Sequence, residues 1–125
     1  MTRIVRAALI QAKLSEPGDA PVAVIRQSMI DKHVDLIAQA AEQGAQVCCL
    51  QELFYGPYFP AEQSAKWYAL TERVPDGETV KLMQELARKH SMVLVVPIYE
   101  EDLTGVYYNT AAVIEISPSA FKHAQ

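Results

Sequence analysis

Apolar positions along the chain change period several times, and each change falls at a turn signal. Residues 4–11 (Ile-Val-Arg-Ala-Ala-Leu-Ile-Gln) are short, apolar and partly β-branched, which predicts a buried strand. After a Pro/Gly-containing loop, Val22, Ile25, Met29, Ile30, Val34, Ile37 and Ala41 recur at mostly helical steps, with Arg26, Gln27, Asp31, Lys32, Asp35, Gln39 and Glu42 on the other side. This predicts a helix that starts at Pro21 and stops at Gly44. Residues 47–50 predict a second strand running into Gln51, Glu52 and an aromatic loop. After Pro75-Asp76-Gly77, Val80, Met83, Leu86, Ala87 and His90 mark one side of a second helix. Residues 92–96 predict a third strand, residues 100–105 a solvated acidic turn, and residues 107–116 a fourth strand paired with the third as a hairpin.

Alternating strands and helices indicate the α/β class, and continuous apolar strands suggest a sheet covered on both faces. No internal repeat or linker divides the 125 residues, so one domain or a piece of one is expected. With half the residues hydrophobic, the chain is too apolar for disorder. A net charge of −4 with no basic cluster offers no footprint for nucleic acid. The N-terminal apolar run is broken by Gln11 and Lys13, too soon for a signal peptide or a membrane span. Cys48 and Cys49 are neighbours, an arrangement that rarely suits a disulfide, and a reducing cytoplasm is the expected location.

The end of the second strand carries the most informative chemistry. Glu52 leaves a buried strand into a loop holding Phe54, Tyr55, Tyr58 and Phe59, bent by Gly56, Pro57 and Pro60. Ligands gather at the carboxyl ends of strands in open α/β folds, and rings that partly desolvate a carboxylate raise its pKa toward that of a general base. A strand-end Glu that caps loop amides fits the same residues. Tyr58, ahead of Tyr55, is the candidate for lining a substrate entrance. Cys48 and Cys49, inside the strand, are expected to be core thiols with raised pKa rather than nucleophiles. His90 is expected at a helix C-terminus, His33 on the surface or boundary of its helix, and His123 in the tail.

The segment from Val47 through Cys48, Cys49, Leu50, Gln51, Glu52, Leu53 and Phe54 to Phe59 resembles the first catalytic-glutamate segment of the nitrilase superfamily of carbon–nitrogen hydrolases. The resemblance extends from Ile4 through Gly44-Ala45, Val74-Pro-Asp-Gly-Glu-Thr79 and residues 92–97 to Tyr108-Asn-Thr-Ala-Ala-Val113, and its look is nearest the β-ureidopropionase and N-carbamoylputrescine amidase branch. It implies the N-terminal part of an α-β-β-α sandwich, incomplete here, with residues 1–116 inside the hydrolase domain and 117–125 a divergent tail. It also implies a Glu–Lys–Cys site needing neither metal nor cofactor, an amide or ureido substrate, ammonia release, and homo-oligomers of the complete enzyme. Of that site only the base, Glu52, falls on this chain, and Asn109 corresponds to a residue that buttresses the pocket. Lys122 comes too early and without the family's flanking pattern to stand for the lysine, and the nucleophile falls beyond the chain. The 125 residues alone are therefore expected to be inactive. The alternatives are a non-catalytic interaction module with exposed apolar faces and a small flavodoxin-like binder, the latter lacking a Gly-rich phosphate loop.

Overall fold

The computed structural model describes residues 3–116 and the backbone of 121–124. Five strands form one sheet in chain order: β1 (Ala7–Leu9), β2 (Val47–Cys49), β3 (Val93–Glu101), β4 (Tyr107–Ile114) and β5 (Phe121–Ala124). β1, β2 and β3 run parallel, and β4 and β5 continue antiparallel. The helices are α1 (Val22–Glu42), between β1 and β2, and α2 (Glu78–His90), between β2 and β3. Two 3-10 turns, Phe59–Ala61 and Ala65–Leu70, interrupt the long loop after β2.

α1 forms where its apolar stripe predicts, burying Ile25, Met29, Ile30, Ile37 and Ala40. Its end is closed by paired bonds, Ala45 N–H to Ala40 O at 3.1 Å and Gly44 N–H to Ala41 O at 2.9 Å. That closure requires a left-handed residue, and Gly44 supplies it at φ +83°. His33 departs from the surface or boundary position expected of it. It lies one turn from both Met29 and Ile37 and is fully buried, its Nδ1 2.8 Å from Met29 O and its ring edge-on to Phe54 at 4.9 Å. Burial, the largest influence, holds its pKa below the ordinary histidine value.

The hairpin of β3 and β4 is present, but β3 runs on to Glu101. Residues 100 and 101 therefore belong to a strand rather than to a solvated turn. Glu100 points inward, is 2% exposed, and accepts a 2.5 Å hydrogen bond from the Thr110 hydroxyl. A carboxylate with such a partner is tolerated in a strand whose alternate positions face the core. The turn proper is shorter and closes with the Val106 N–H to Leu103 O bond and Gly105 at φ +80°.

The sheet is covered on one face only, which corrects the expectation of two covered faces. Leu94, Val96, Ile98, Ala112 and Ile114 are buried on the helix side. The alternate positions Val93, Val95, Pro97 and Tyr99 are half-buried. On that open face Leu9, Cys49, Val95 and Val113 stand in one row across four strands, and Leu9 is 85% exposed. The strands read as continuously apolar because both faces are apolar. One helix layer and one sheet layer of the expected sandwich are thus present.

Candidate functional site

Glu52 stands just past the end of β2, where Leu50 N–H still bonds Val95 O across the ladder at 3.0 Å. Its neighbour Gln51 turns back to β1, its side-chain oxygen accepting the Ala12 N–H. Glu52 itself is exposed, and its Oε1 accepts a 2.5 Å bond from Asn109 Nδ2 on β4. Two side chains 57 residues apart in sequence therefore meet at the upper edge of the sheet.

The first two rings after Glu52 pack downward instead of over it. Phe54 and Tyr55 are 0% and 1% exposed and meet edge-on at 5.1 Å. The Tyr55 hydroxyl donates to Leu70 O at 2.8 Å, and Arg26 lies over its ring at 5.5 Å. Burial pushes the Tyr55 phenol well above the ordinary tyrosine value, so it stays a neutral donor. Between these anchors and Glu52, Leu53 takes a left-handed φ of +50° while buried. The sharp bend this makes sends Phe54 into the core and leaves Glu52 at the surface. The aromatic desolvation of Glu52 expected from sequence is thus absent in this chain.

Arg26 also ties the loop to the helices. It bonds Glu72 at 3.2 Å and the Thr79 hydroxyl at 2.8 Å, while Glu72 Oε1 accepts the Val80 N–H at the start of α2. Gly77 is needed for this approach, since a Cβ there would collide with Glu72 Oε1.

Among the remaining candidates, Tyr58 is 61% exposed. Cys48 is buried in β2, and burial, followed by the neighbouring Cys49, pushes its thiol up to about 11. Cys49 lies on the open face, half-buried. His90 joins Arg88 and Lys89 in the last turn of α2. Residues 117–120 and 125, and the side chains of Lys122 and His123, lie outside what is described. The backbone of residue 122 pairs with Val113, four positions along β4 from Asn109 and so about 13 Å away along the strand.

An aromatic group lies beside Asn109, and of its rings sequence reasoning singles out only Phe59. Tyr99 pairs directly with Asn109 across the hairpin. Phe59 packs on Tyr99 at 4.8 Å between ring centres, Tyr107 at 5.5 Å and Tyr68 at 6.4 Å. These rings come from two strands and two loop turns, so no local spacing announces them; only the hairpin register places Tyr99 beside Asn109.

The sequence matches the carbon-nitrogen hydrolase family over residues 6–122. The chain belongs to that family. It is 38% identical over 114 residues to a beta-ureidopropionase from Arabidopsis thaliana, a match covering 90% of this chain and 28% of that protein. It is 32% identical over 80 residues to an N-carbamoylputrescine amidase from Solanum lycopersicum, covering 64% of this chain and 26% of the other. The crystal structure of a carbon-nitrogen hydrolase from Helicobacter pylori superposes with a TM-score of 0.73 at 24% identity, over 95% of this chain and 39% of that one. That likeness shows the fold: the nitrilase-like α/β architecture, of which these residues form the N-terminal portion. The chain spans roughly a quarter to two fifths of the length of these carbon-nitrogen hydrolases. Among the described residues no helix is long and apolar enough to cross a membrane.

Proposed function

We propose that this chain is the base-bearing portion of a carbon–nitrogen hydrolase that acts on N-carbamoyl amines or related amides and releases ammonia. The observation that carries the reading is the Asn109 Nδ2 bond to Glu52 Oε1, 2.5 Å long, at an exposed strand end on the sheet's open side. It fixes one carboxylate oxygen and leaves Oε2 to accept a proton. In the reaction Glu52 takes the proton of a cysteine thiol, and the thiolate attacks the amide or ureido carbonyl carbon. A lysine ammonium stabilises the oxyanion, ammonia leaves, and water hydrolyses the acyl-enzyme.

The thiol is not one of this chain's two. Cys48 is buried with its thiol held protonated, and both cysteines lie within the ladder of β2 rather than on a strand-to-helix elbow. The reading therefore takes the cysteine from polypeptide outside these 125 residues, seated against the open sheet face, with the lysine supplied as the family resemblance implies. Tyr58, exposed in the loop after Glu52, lines the way in.

Reconstitution tests this. The chain is co-expressed with the complementary remainder of a beta-ureidopropionase relative, and ammonia release from N-carbamoyl amines is measured. The pair should turn over and the 125-residue chain alone should not. Glu52→Gln should reduce the rate at least about a hundredfold, the usual scale for a lost general base. Full activity of Glu52→Gln in a correctly assembled pair would overturn Glu52 as the base. Ammonia release by the chain alone would overturn the need for an outside thiol.

A further inference from the structure

Glu52 is held at two points. Asn109 fixes its carboxylate, while the bend at Leu53 and the buried Phe54 fix its backbone. Behind Phe54 stands His33 of α1. We propose that His33 is a positioning residue for Glu52: its neutral ring seats Phe54, and protonation of that ring frees Phe54, relaxes the bend at Leu53 and parts Glu52 from Asn109. The proposal rests on the hydrolase reading above and gives its base an acid-operated release.

A short path of contacts connects the imidazole to the carboxylate. His33 and Phe54 meet in a T-shaped contact at 4.9 Å between ring centres, and Phe54 meets Tyr55 edge-on at 5.1 Å. Tyr55 is anchored on the far side, its hydroxyl donating to Leu70 O at 2.8 Å. Between Phe54 and Glu52 lies only Leu53, buried at a left-handed φ of +50°. A leucine keeps that conformation only where its surroundings impose it. Here the buried rings that follow impose it, so the bend depends on the seat of Phe54.

That seat includes a buried proton acceptor. Met29 O can only accept, so Nδ1 carries the proton of the neutral ring and donates to it at 2.8 Å, which leaves Nε2 to take up the next one. Nε2 is buried and has no partner among the described residues. A proton there creates a buried N–H and a buried charge, with nothing in place to receive either. Burial disfavours the imidazolium most, the Met29 bond favours it, and Lys32 on the same helix is the one charged side chain that bears on the ring, repelling the cation. From the loop the ring faces uncharged Phe54, with the neutral Tyr55 phenol behind it. The imidazolium is therefore accommodated by admitting water, and a neighbour must move to admit it. Met29 and Ile37 belong to the same buried helix stripe, whereas Phe54 belongs to a loop. The loop yields first.

Asn109 is the only asparagine, so isotopically labelled asparagine gives a single side-chain amide signal by NMR, and that signal reports the bond to Glu52. The full chain is titrated from pH 7.5 to 4.5, following this amide, the His33 ring and the far-UV circular dichroism. His33→Gln, which keeps a donor for Met29 O and takes up no proton, is titrated alongside. In wild type the Asn109 amide should move in step with the His33 ring while the dichroism holds, and in His33→Gln that step should be missing. Protonation of Glu52 itself acts alike in both proteins. An amide that ignores the His33 titration, the same step in His33→Gln, or loss of the whole fold at the same midpoint would each overturn the proposal. The wild-type comparison decides by itself if the variant does not fold. In the reconstituted pair, kcat for ammonia release should fall about tenfold per pH unit below the His33 midpoint with KM unchanged, and His33→Gln should flatten that limb. An Asn109 step with no turnover by the pair would overturn the hydrolase and keep the release. Turnover with no step that depends on His33 would do the reverse.

Discussion

His33 gives the chain a defined acid sensitivity. Its ring is fully buried, with Nδ1 on Met29 O, a T-shaped contact with Phe54 and, among the described residues, no partner for Nε2. Burial disfavours the imidazolium most strongly; the backbone bond to Met29 opposes this and the Lys32 charge adds to it, leaving the folded pKa lowered. The sign follows from linkage. Above the unfolded value of 6.5 both states are neutral and His33 contributes no pH dependence. As pH falls below that value the unfolded chain takes up the proton first, and stability falls until the folded pKa is reached. The limiting slope is about 1.4 kcal/mol per pH unit, so moving from pH 6.5 to 5.5 costs up to about that much. Urea unfolding followed by far-UV circular dichroism at pH 7.5, 6.5 and 5.5 measures it. His33→Leu, which keeps an apolar side chain against Phe54, should flatten this part of the profile relative to wild type. Carboxylates act equally in both proteins, so the difference between the two curves isolates His33. A difference that does not change between pH 7.5 and 5.5 would refute the reasoning.

Other consequences are as direct. Gly44→Ala forces a Cβ into a left-handed residue and against Arg6 Nη1 at 2.8 Å, so the urea midpoint should drop by the equivalent of about 1–2 kcal/mol; an unchanged midpoint would show that the helix end relaxes freely. Glu72→Ala strands the Val80 N–H and removes one of the Arg26 guanidinium's partners, and should cost about 1–3 kcal/mol by the same assay, with Glu72→Gln costing less. Replacing Val95 and Val113 together by Thr keeps shape while making the open sheet face more polar. Sedimentation should show the wild-type chain self-associating and this variant less so, and a monomeric wild type would contradict an unsatisfied apolar face.

Helices, the succession of the first four strands along the chain and the hairpin were legible because each rests on local periodicity and turn chemistry. The place of Glu52 was legible for a similar reason, since it follows directly on an apolar strand. What escaped reading depends on partners distant in sequence. Glu100 reads as a turn until Thr110 is placed beside it by the hairpin register. His33 reads as a boundary residue until Phe54, 21 positions later, closes over it. The rings around Tyr99 come from segments with no common period. The expected desolvation of Glu52 failed for a local reason: the left-handed Leu53 turns Phe54 and Tyr55 into the core.

Under the proposed function, the uncovered face and the exposed Glu52 have a single explanation. Leu9, Cys49, Val95 and Val113 make an apolar row on the side away from the helices, and Glu52 and Asn109 stand at its margin. A base that must deprotonate a thiol works best where water is excluded and neighbouring dipoles are fixed. This chain supplies the fixed dipole, through Asn109, and a rigid loop, through Phe54, Tyr55 and Arg26. It does not exclude the water, because Glu52 is exposed. Seating a second layer on the apolar row would do so, and the nucleophile carried by that layer would arrive in the same step. Covering the face and assembling the reaction centre are then one event, so variants along Leu9, Val95 and Val113 that weaken reconstitution should lower ammonia release in proportion to the complex lost, without changing the turnover of the complex that remains.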